Sequence, residues 1–308
     1  MAPAADGDLR RPQAEVRLIP PPRVLSAKQK LRFARWINLG LRVMRGAVGR
    51  DMRVQCRRCG VNWDLDLNEG IDLSIYLFGS YEPRSLQAYV KIIRPGDVVF
   101  DLGANIGAHT LHFARLVGGA GRVFAFEPTD FAIEKLRRNL ALNPDLSPQV
   151  FPEQCFLLAD HDSLPPHAIP SSWPVAHRHD DLRAGDLGKP QTIGAATITT
   201  VDDFCRTAGI TRIDFVKIDV DGYEYPVLRG FREYLRRFRP PILIELAPFI
   251  HLVENQGTFD ELVQFLNDLG YDFVDTNNGR RIAHTPDDLR AHISEGAGLN
   301  ALLKARSP

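Results

Sequence analysis

The sequence predicts an α/β fold in which helices cover both faces of a mostly parallel sheet of seven strands. From residue 98 onward, short apolar runs alternate with segments of helical period. The first run, Val98–Phe100, leads into a turn that contains Gly103 and Gly107, and a helix follows. The second run ends in a carboxylate, Glu127. This alternation is typical of a doubly wound sheet, here preceded by an N-terminal helical and β-hairpin appendage.

Composition and charge limit the classes of partner. The 308 residues contain 38 Lys and Arg and 38 Asp and Glu, so the net charge does not favour nucleic acid or an anionic membrane. Four cysteines are too few for a disulfide framework, and no secretory signal or apolar run of about 18 residues is present. We expect a soluble cytoplasmic protein that binds neither nucleic acid nor membranes.

The chain divides into three expected segments. Residues 1–25 are rich in proline and are expected to form a disordered or extended lead. Residues 26–90 form the appendage, and residues 91–308 form the main domain. The long proline-containing stretch 161–190 has no clear period and is predicted to be a lid over the substrate.

The appendage begins with a predicted helix that Ser26 caps. Its apolar residues are predicted to lie roughly along one side: Leu31, Ala34, Leu39, Leu41 and Val43. Its arginines form a basic face: Arg32, Arg35, Arg42 and Arg45. A solvated surface or a contact with a second subunit explains this face better than a membrane or nucleic acid does. A homo-oligomer through the appendage is therefore one expectation.

The remaining elements follow in order along the chain. Strands are predicted at 54–56 and 61–65, and helices at 71–78 and 85–93. The sheet strands are predicted at 98–100, 122–126, 149–158, 213–220, 241–246, 271–275 and 299–304, with a further short strand at 196–200. Helices are predicted at 110–116, 130–142, 223–231 and 259–269.

The glycine loop has the pattern Asp101-x-Gly103-x-Asn105-x-Gly107. It lies where a strand ends and a helix begins, which is where open α/β sheets bind ligands. The two glycines let the backbone approach a ligand closely. Asp101 is expected to contact the ligand or to brace the loop, and both roles are compatible.

Two side chains indicate which ligand the loop binds. Glu127 ends the next strand and is expected to accept hydrogen bonds from two vicinal hydroxyls of a ribose; otherwise it only precedes the helix after Pro128. Asn105 replaces the middle glycine of a dinucleotide fingerprint and would crowd a pyrophosphate. A nicotinamide dehydrogenase is therefore disfavoured. A smaller ligand with a cationic sulfur and an amino-acid tail suits the loop better.

Seven blocks of sequence together resemble one family. They are Arg94–Asp97, Phe100–Gly107, Ala125–Pro128, Val201–Phe204, Ile213–Glu224, Val227–Gly230 and Pro241–Glu245. In order and spacing they resemble the FkbM-type S-adenosylmethionine-dependent methyltransferases, over roughly residues 71–303. The resemblance implies a class I methyltransferase (Rossmann-like) fold, S-adenosylmethionine as cofactor and O-methylation of a sugar or secondary metabolite. The sequence departs from the family at Asp221, where Glu is more usual.

Four further residues are candidates for the site. Asp160, after the third strand, is expected to bind the adenine amino group. Tyr81 and Glu82 belong to a stretch that lies beside the cofactor loop in relatives, so both are candidates for the substrate side. Alternatively, Tyr81 is a core aromatic residue and Glu82 is a helix cap. Glu224, just after Asp221, is assigned to the substrate side as well.

Methyl transfer to an alcohol requires alignment and a general base or a metal. Asp219 and Glu245 end two strands and share the rim of the sheet with Glu127. Three interpretations stay open: a base with an orienting partner, a divalent cation site, or caps and braces. His177, in the predicted lid, is the alternative base, and His179 is assigned to the substrate.

The expected function is methyl transfer from S-adenosylmethionine to a hydroxylated small molecule. A metal-assisted variant that uses Asp219 and Glu245 is the first alternative. A catalytically silent cofactor-binding module is the second, because no motif guarantees a base.

Overall fold

The computed structural model describes residues 27–160, 166–175, 188–250, 258–282, 284–294 and 297–306. Most of the predicted lid, including His177 and His179, lies outside these ranges, as do Ser26 and the predicted N-terminal lead.

The appendage contains a long helix, a hairpin and two short helices. Their bounds are α1 Ala27–Ala47, β1 Arg53–Arg58, β2 Val61–Asp66, α2 Gly70–Phe78 and α3 Pro83–Val90. The main domain follows as β3 Val98–Leu102, α4 Thr110–Val117, β4 Arg122–Phe126, α5 Asp130–Ala141, β5 Val150–Glu153, β6 Cys155–Leu157, β7 Ala168–Ser172, β8 Lys189–Thr192 and β9 Thr197–Thr199. It continues as α6 Val201–Thr207, β10 Phe215–Ile218, α7 Glu224–Arg229, α8 Arg232–Phe238, β11 Ile242–Leu246, α9 Phe259–Asp268, β12 Tyr271–Asp275, β13 Arg281–Ile282, α10 Pro286–His292 and β14 Leu299–Ala305.

The main sheet has the strand order β13-β12-β14-β11-β10-β3-β4-β5. The strands β11, β10, β3, β4 and β5 run parallel, and β14, β12 and β13 are joined by antiparallel ladders. Buried apolar residues on the two sides of the sheet form two clusters under the helices. The doubly wound α/β prediction is confirmed, with the two-residue β13 as an eighth strand at the edge.

The hydrogen-bond register brings the carboxyl ends of the central strands together. Phe100 of β3 is aligned with Val216 of β10 and with Phe124 of β4, and Val216 is aligned with Ile242 of β11. Because these strands are parallel, the residues that follow them lie on one rim of the sheet.

The predicted third strand, 149–158, is two strands. β5 pairs with β4 at the edge of the main sheet, whereas β6 leaves the sheet and pairs with β9. Pro152 in β5 has no N–H to donate to a further strand, which fits an edge position. The chain can therefore turn away after Glu153.

The appendage packs directly on the main domain. Trp63 and Tyr89 are fully buried in the same apolar cluster as Phe113 and Ile133. The side chain of Asn62 donates a 3.0 Å hydrogen bond to the carbonyl of Leu142. The hairpin and short helices therefore share a core with α4 and α5.

The prediction that the apolar residues of α1 share one side is wrong. Ala34 and Leu41 pack against the core, but Leu39 and Val43 are 52% and 66% exposed. No helix of the described ranges is long and apolar enough to cross a bilayer.

Candidate functional site

A cavity of about 250 Å³ lies at the rim where β3, β4, β10 and β11 end. Its walls contain side chains from each of these strand ends, together with the segment that follows α2. Six of the residues predicted from sequence line it: Tyr81, Gly103, Asn105, Glu127, Asp219 and Glu245.

The glycine loop has the conformation that its sequence requires. Gly103 and Gly107 have φ of 81° and 88°, and Asn105 has φ of 48°, which asparagine tolerates better than most residues. The Asn105 side-chain oxygen accepts a 2.8 Å hydrogen bond from the amide of Ile106. A Cβ on Gly107 would lie 2.6 Å from Leu136, so this glycine allows close packing against α5. Gly103, Ala104 and Asn105 of this loop line the cavity, and Gly107 does not.

Glu127 is 4% exposed and lines the cavity just after β4. One carboxylate oxygen accepts a 3.0 Å hydrogen bond from the amide of Asn105. The other accepts from the amide and the hydroxyl of Thr129, at 3.0 and 2.6 Å. Burial raises the pKa of the Glu127 carboxyl, and the hydrogen bonds oppose this rise. Because an ionised carboxylate has about four acceptor positions, one is left for a ligand hydroxyl.

Asp101 is completely buried and does not line the cavity. It accepts a 2.6 Å hydrogen bond from the hydroxyl of Thr110, in the first turn of α4. Its other oxygen lies 3.5 Å from the ammonium group of Lys217. This geometry favours the bracing role of Asp101 over direct ligand contact.

An acidic cluster forms the wall that β10 and β11 contribute. One carboxylate oxygen each from Asp219, Asp221 and Glu245 lies within 4.8 Å of the others. Burial and then the charge of Asp219 raise the pKa values of Asp221 and Glu245 well above their usual range. The cluster therefore favours taking up a proton or a cation.

Lys217 joins this cluster to the glycine loop. Its ammonium group donates a 2.8 Å hydrogen bond to the carbonyl of Gly103 and lies 3.3 Å from a carboxylate oxygen of Asp219. Burial alone would lower the pKa of Lys217, but the carboxylates of Asp219 and Asp101 raise it above its usual value. Lys217 is thus held as a charged brace between two loops.

Besides Asp101 and Gly107, three more predicted site residues lie away from the cavity lining. The carboxylate of Asp160 lies 3.6 Å from the guanidinium of Arg229. Glu224 is buried and accepts hydrogen bonds from the amides of Val220 and Gly222, so it braces the loop that carries Asp219 and Asp221.

Glu82 is the third of these residues. It accepts a 2.7 Å hydrogen bond from the amide side chain of Asn300 and lies 3.5 Å from His109. His109 lines the cavity and bonds the hydroxyl of Tyr89 at 3.2 Å. Burial would raise the pKa of Glu82, but His109 and Asn300 lower it. Glu82 therefore orients His109 from outside the cavity.

Several cavity residues were not singled out by sequence reasoning. Phe156 and Leu157, at the end of β6, give the cavity an apolar wall. In the sequence, nothing distinguishes these two apolar residues from residues of the core. Ser171 and Trp173 line the cavity from the hairpin of β7 and β8. Both residues lie in the segment 161–190, which was predicted to be a lid. The signal that could have identified them is the serine pair followed by an aromatic residue, Ser171-Ser172-Trp173.

The comparison with protein families decides the family. Residues 101–273 match the model of the methyltransferase FkbM domain, which is more than half of the chain. The chain belongs to the FkbM methyltransferase family. It is therefore an S-adenosylmethionine-dependent methyltransferase with the class I α/β fold.

Three curated proteins are similar to this FkbM-family methyltransferase. Methyltransferase sdnD of Sordaria araneosa is 29% identical over 57% of this chain and 74% of its own length. Hexuronic acid methyltransferase AglP of Haloferax volcanii is 29% identical over 46% of this chain and 52% of its own. 31-O-demethyl-FK506 methyltransferase FkbM of Streptomyces tacrolimicus is 28% identical over 59% of this chain and 75% of its own.

A solved structure also resembles this FkbM-family methyltransferase. It is methyltransferase FkbM from Methylobacillus flagellatus KT, which is 16% identical with a TM-score of 0.39. The match covers 71% of this chain and half of that chain.

Proposed function

We propose that this FkbM-family methyltransferase transfers the methyl group of S-adenosylmethionine to a hydroxyl of a sugar or secondary metabolite. The observation that supports this most is that Glu127 and Glu245 line the same cavity, one after β4 and the other at the end of β11. A ribose-binding carboxylate and a proton-accepting carboxylate thus face one space.

The residues of the cavity suit S-adenosylmethionine. Glu127 has an acceptor position for a ribose hydroxyl, and the glycine loop allows close approach of a ligand to the backbone. The apolar wall of Phe156 and Leu157 suits a heterocyclic base. When bound, the cofactor supplies an electrophilic methyl group.

Glu245 is the proposed base. An alcohol becomes a good nucleophile only as its proton leaves, and a base works best when its pKa lies near the working pH. Burial and the charge of Asp219 raise the pKa of Glu245 well above its usual value, which favours proton uptake. Asp219 is the proposed orienting partner, and His177 stays a sequence-based alternative outside the described residues.

The names of two relatives support the acceptor class. One relative is a hexuronic acid methyltransferase, and another methylates 31-O-demethyl-FK506. Both names fit a hydroxylated small molecule as the acceptor of the present chain.

Cofactor binding is tested by calorimetric titration with S-adenosylhomocysteine. Glu127→Gln removes a charged hydrogen-bond acceptor, so the affinity of the variant for S-adenosylhomocysteine should fall by about 1.5–3 kcal/mol, or roughly 10- to 150-fold. Glu153→Gln is the matched control, because Glu153 ends the neighbouring strand β5 without lining the cavity. Equal affinity for wild type and Glu127→Gln would contradict the ribose-binding role.

The base is tested by turnover on a panel of hydroxylated sugars and metabolites. Glu245→Gln should reduce kcat by about 100-fold or more while S-adenosylhomocysteine still binds. Glu233→Gln, on the exposed surface of α8, serves as the control. Unchanged turnover in Glu245→Gln would show that another group accepts the proton of the hydroxyl.

A metal-assisted version is the second candidate, because the oxygens of Asp219, Asp221 and Glu245 are close enough to share a cation. This version predicts that a chelator stops turnover and that added Mg²⁺ restores it. Turnover that is insensitive to both would exclude this version.

A further inference from the structure

The outward face of α1 is apolar. Its exposed large apolar residues are Phe33, Trp36, Leu39, Val43 and Met44, and Trp36 is 71% exposed. Gly40 and Ala47 continue the same side, because the spacings of three and four residues follow the helical period. A helix on a protein surface normally has polar residues on this face.

The opposite face of α1 holds the helix on the protein. Ala34, Ile37 and Leu41 pack against the apolar core, and the side chain of Asn38 donates a 2.7 Å hydrogen bond to the carbonyl of Leu67. The inward side of the helix is thus already used. Among the described residues, nothing covers the outward side.

The charge of α1 indicates which partner covers this face. The 21 residues of the helix contain six basic residues and no Asp or Glu: Lys28, Lys30, Arg32, Arg35, Arg42 and Arg45. The whole chain has a formal net charge of zero, so positive charge is concentrated in this helix. Lysine and arginine next to an exposed Trp, Phe and Leu are typical of helices that lie in a membrane interface.

We propose that α1 binds the surface of an anionic lipid bilayer, with Trp36 and its apolar neighbours inserted among the acyl chains. The helix lies on the membrane and does not cross it, because no helix of the described residues is long and apolar enough to span a bilayer. Arginine and lysine near the surface of such a bilayer attract its acidic headgroups. Two α1 helices packed face to face would bring twelve positive charges together (six plus six). The charge therefore favours lipid over a second copy.

The experiment is co-sedimentation of the full chain with vesicles. Vesicles of phosphatidylcholine mixed with phosphatidylglycerol should bind the protein, and vesicles of phosphatidylcholine alone should bind it at least about tenfold less. Binding should weaken as NaCl is raised, because salt screens the attraction. Trp36→Glu should reduce binding to the anionic vesicles by about tenfold or more.

Ile198→Glu is the matched control, because Ile198 is a 47% exposed apolar residue of β9 and should leave vesicle binding unchanged. Equal thermal unfolding and S-adenosylhomocysteine binding of wild type and Trp36→Glu would show that the variant is folded. Val43→Glu, at a 66% exposed position, gives a second test.

Three results would overturn the proposal. The first is no binding to anionic vesicles, and the second is equal binding by wild type and both α1 variants. The third is a dimer in light scattering that Trp36→Glu dissociates while vesicles fail to bind, which would assign the face to a second copy.

Discussion

A Cβ atom on Gly103 would overlap the carbonyl oxygen of Asp219. The glycine loop and the acidic loop therefore touch, backbone against backbone, where β3 and β10 end. The hydrogen bond from Lys217 to the carbonyl of Gly103 joins the same two loops. The glycine-loop side and the acidic side of the cavity are thus built as one unit.

Gly103→Ala should disrupt this unit. It forces a side chain into a φ of 81° and onto the backbone of Asp219, so we expect a loss of at least about 2 kcal/mol in the free energy of unfolding. S-adenosylhomocysteine binding, measured by calorimetry, should be lost as well. Gly118→Ala is the control, because Gly118 has a φ of 61° but open space around its Cβ position. If both variants behave alike, the overlap with Asp219 does not matter.

Local sequence patterns were enough to predict the rim of the sheet. The positions of Gly103, Glu127, Asp219 and Glu245 follow from strand ends, because parallel strands place their carboxyl ends together. The alternation of apolar runs with helical segments predicted most strands of the main sheet, although the predicted strand 149–158 is two strands.

The roles that depend on three-dimensional packing were not predictable in this way. Asp101 and Glu224 are acidic residues near strand ends as well, yet each bonds its own loop or helix instead of lining the cavity. Phe156 lines the cavity only because β6 leaves the main sheet after β5. No local pattern shows which carboxylate a lysine will neutralise or where an edge strand ends.

The buried charge of Lys217 should be essential for stability. Lys217→Met leaves the carboxylate of Asp101, which is fully buried, without its cation, and we expect a loss of about 3–5 kcal/mol in urea unfolding. Adding Asp101→Asn removes the uncompensated charge and should recover part of this loss. A double variant no more stable than Lys217→Met would show that the two groups do not interact.

A second buried ion pair joins α2 to α5. The ammonium group of Lys135 lies 2.6 Å from a carboxylate oxygen of Asp72, and their side chains are 7% and 1% exposed. Burial, opposed by Lys135, raises the pKa of Asp72 to about 6, so the Asp72 carboxylate is ionised at pH 8. At that pH, Asp72→Asn and Lys135→Met should each cost about 3–5 kcal/mol.

The double variant of this pair should cost less than the sum of the single changes, by about 0.5–3 kcal/mol. Urea unfolding of the four proteins at pH 8 measures this coupling. Additive losses would mean that the contact between α2 and α5 rests on apolar packing alone.

His112 should make stability depend on pH. It is buried beside Trp63, and burial lowers its pKa from 6.5 to about 3. Between these two values the unfolded chain binds a proton that the folded protein excludes, so stability falls as the pH falls from about 6.5. The slope approaches about 1.4 kcal/mol per pH unit.

The variant His112→Phe lacks the contribution of His112 to this pH dependence, and the contributions of other groups cancel when it is compared with wild type. The difference in unfolding free energy between His112→Phe and wild type should therefore grow in favour of the variant from pH 7 to pH 4; a constant difference would show that His112 accepts its proton without unfolding.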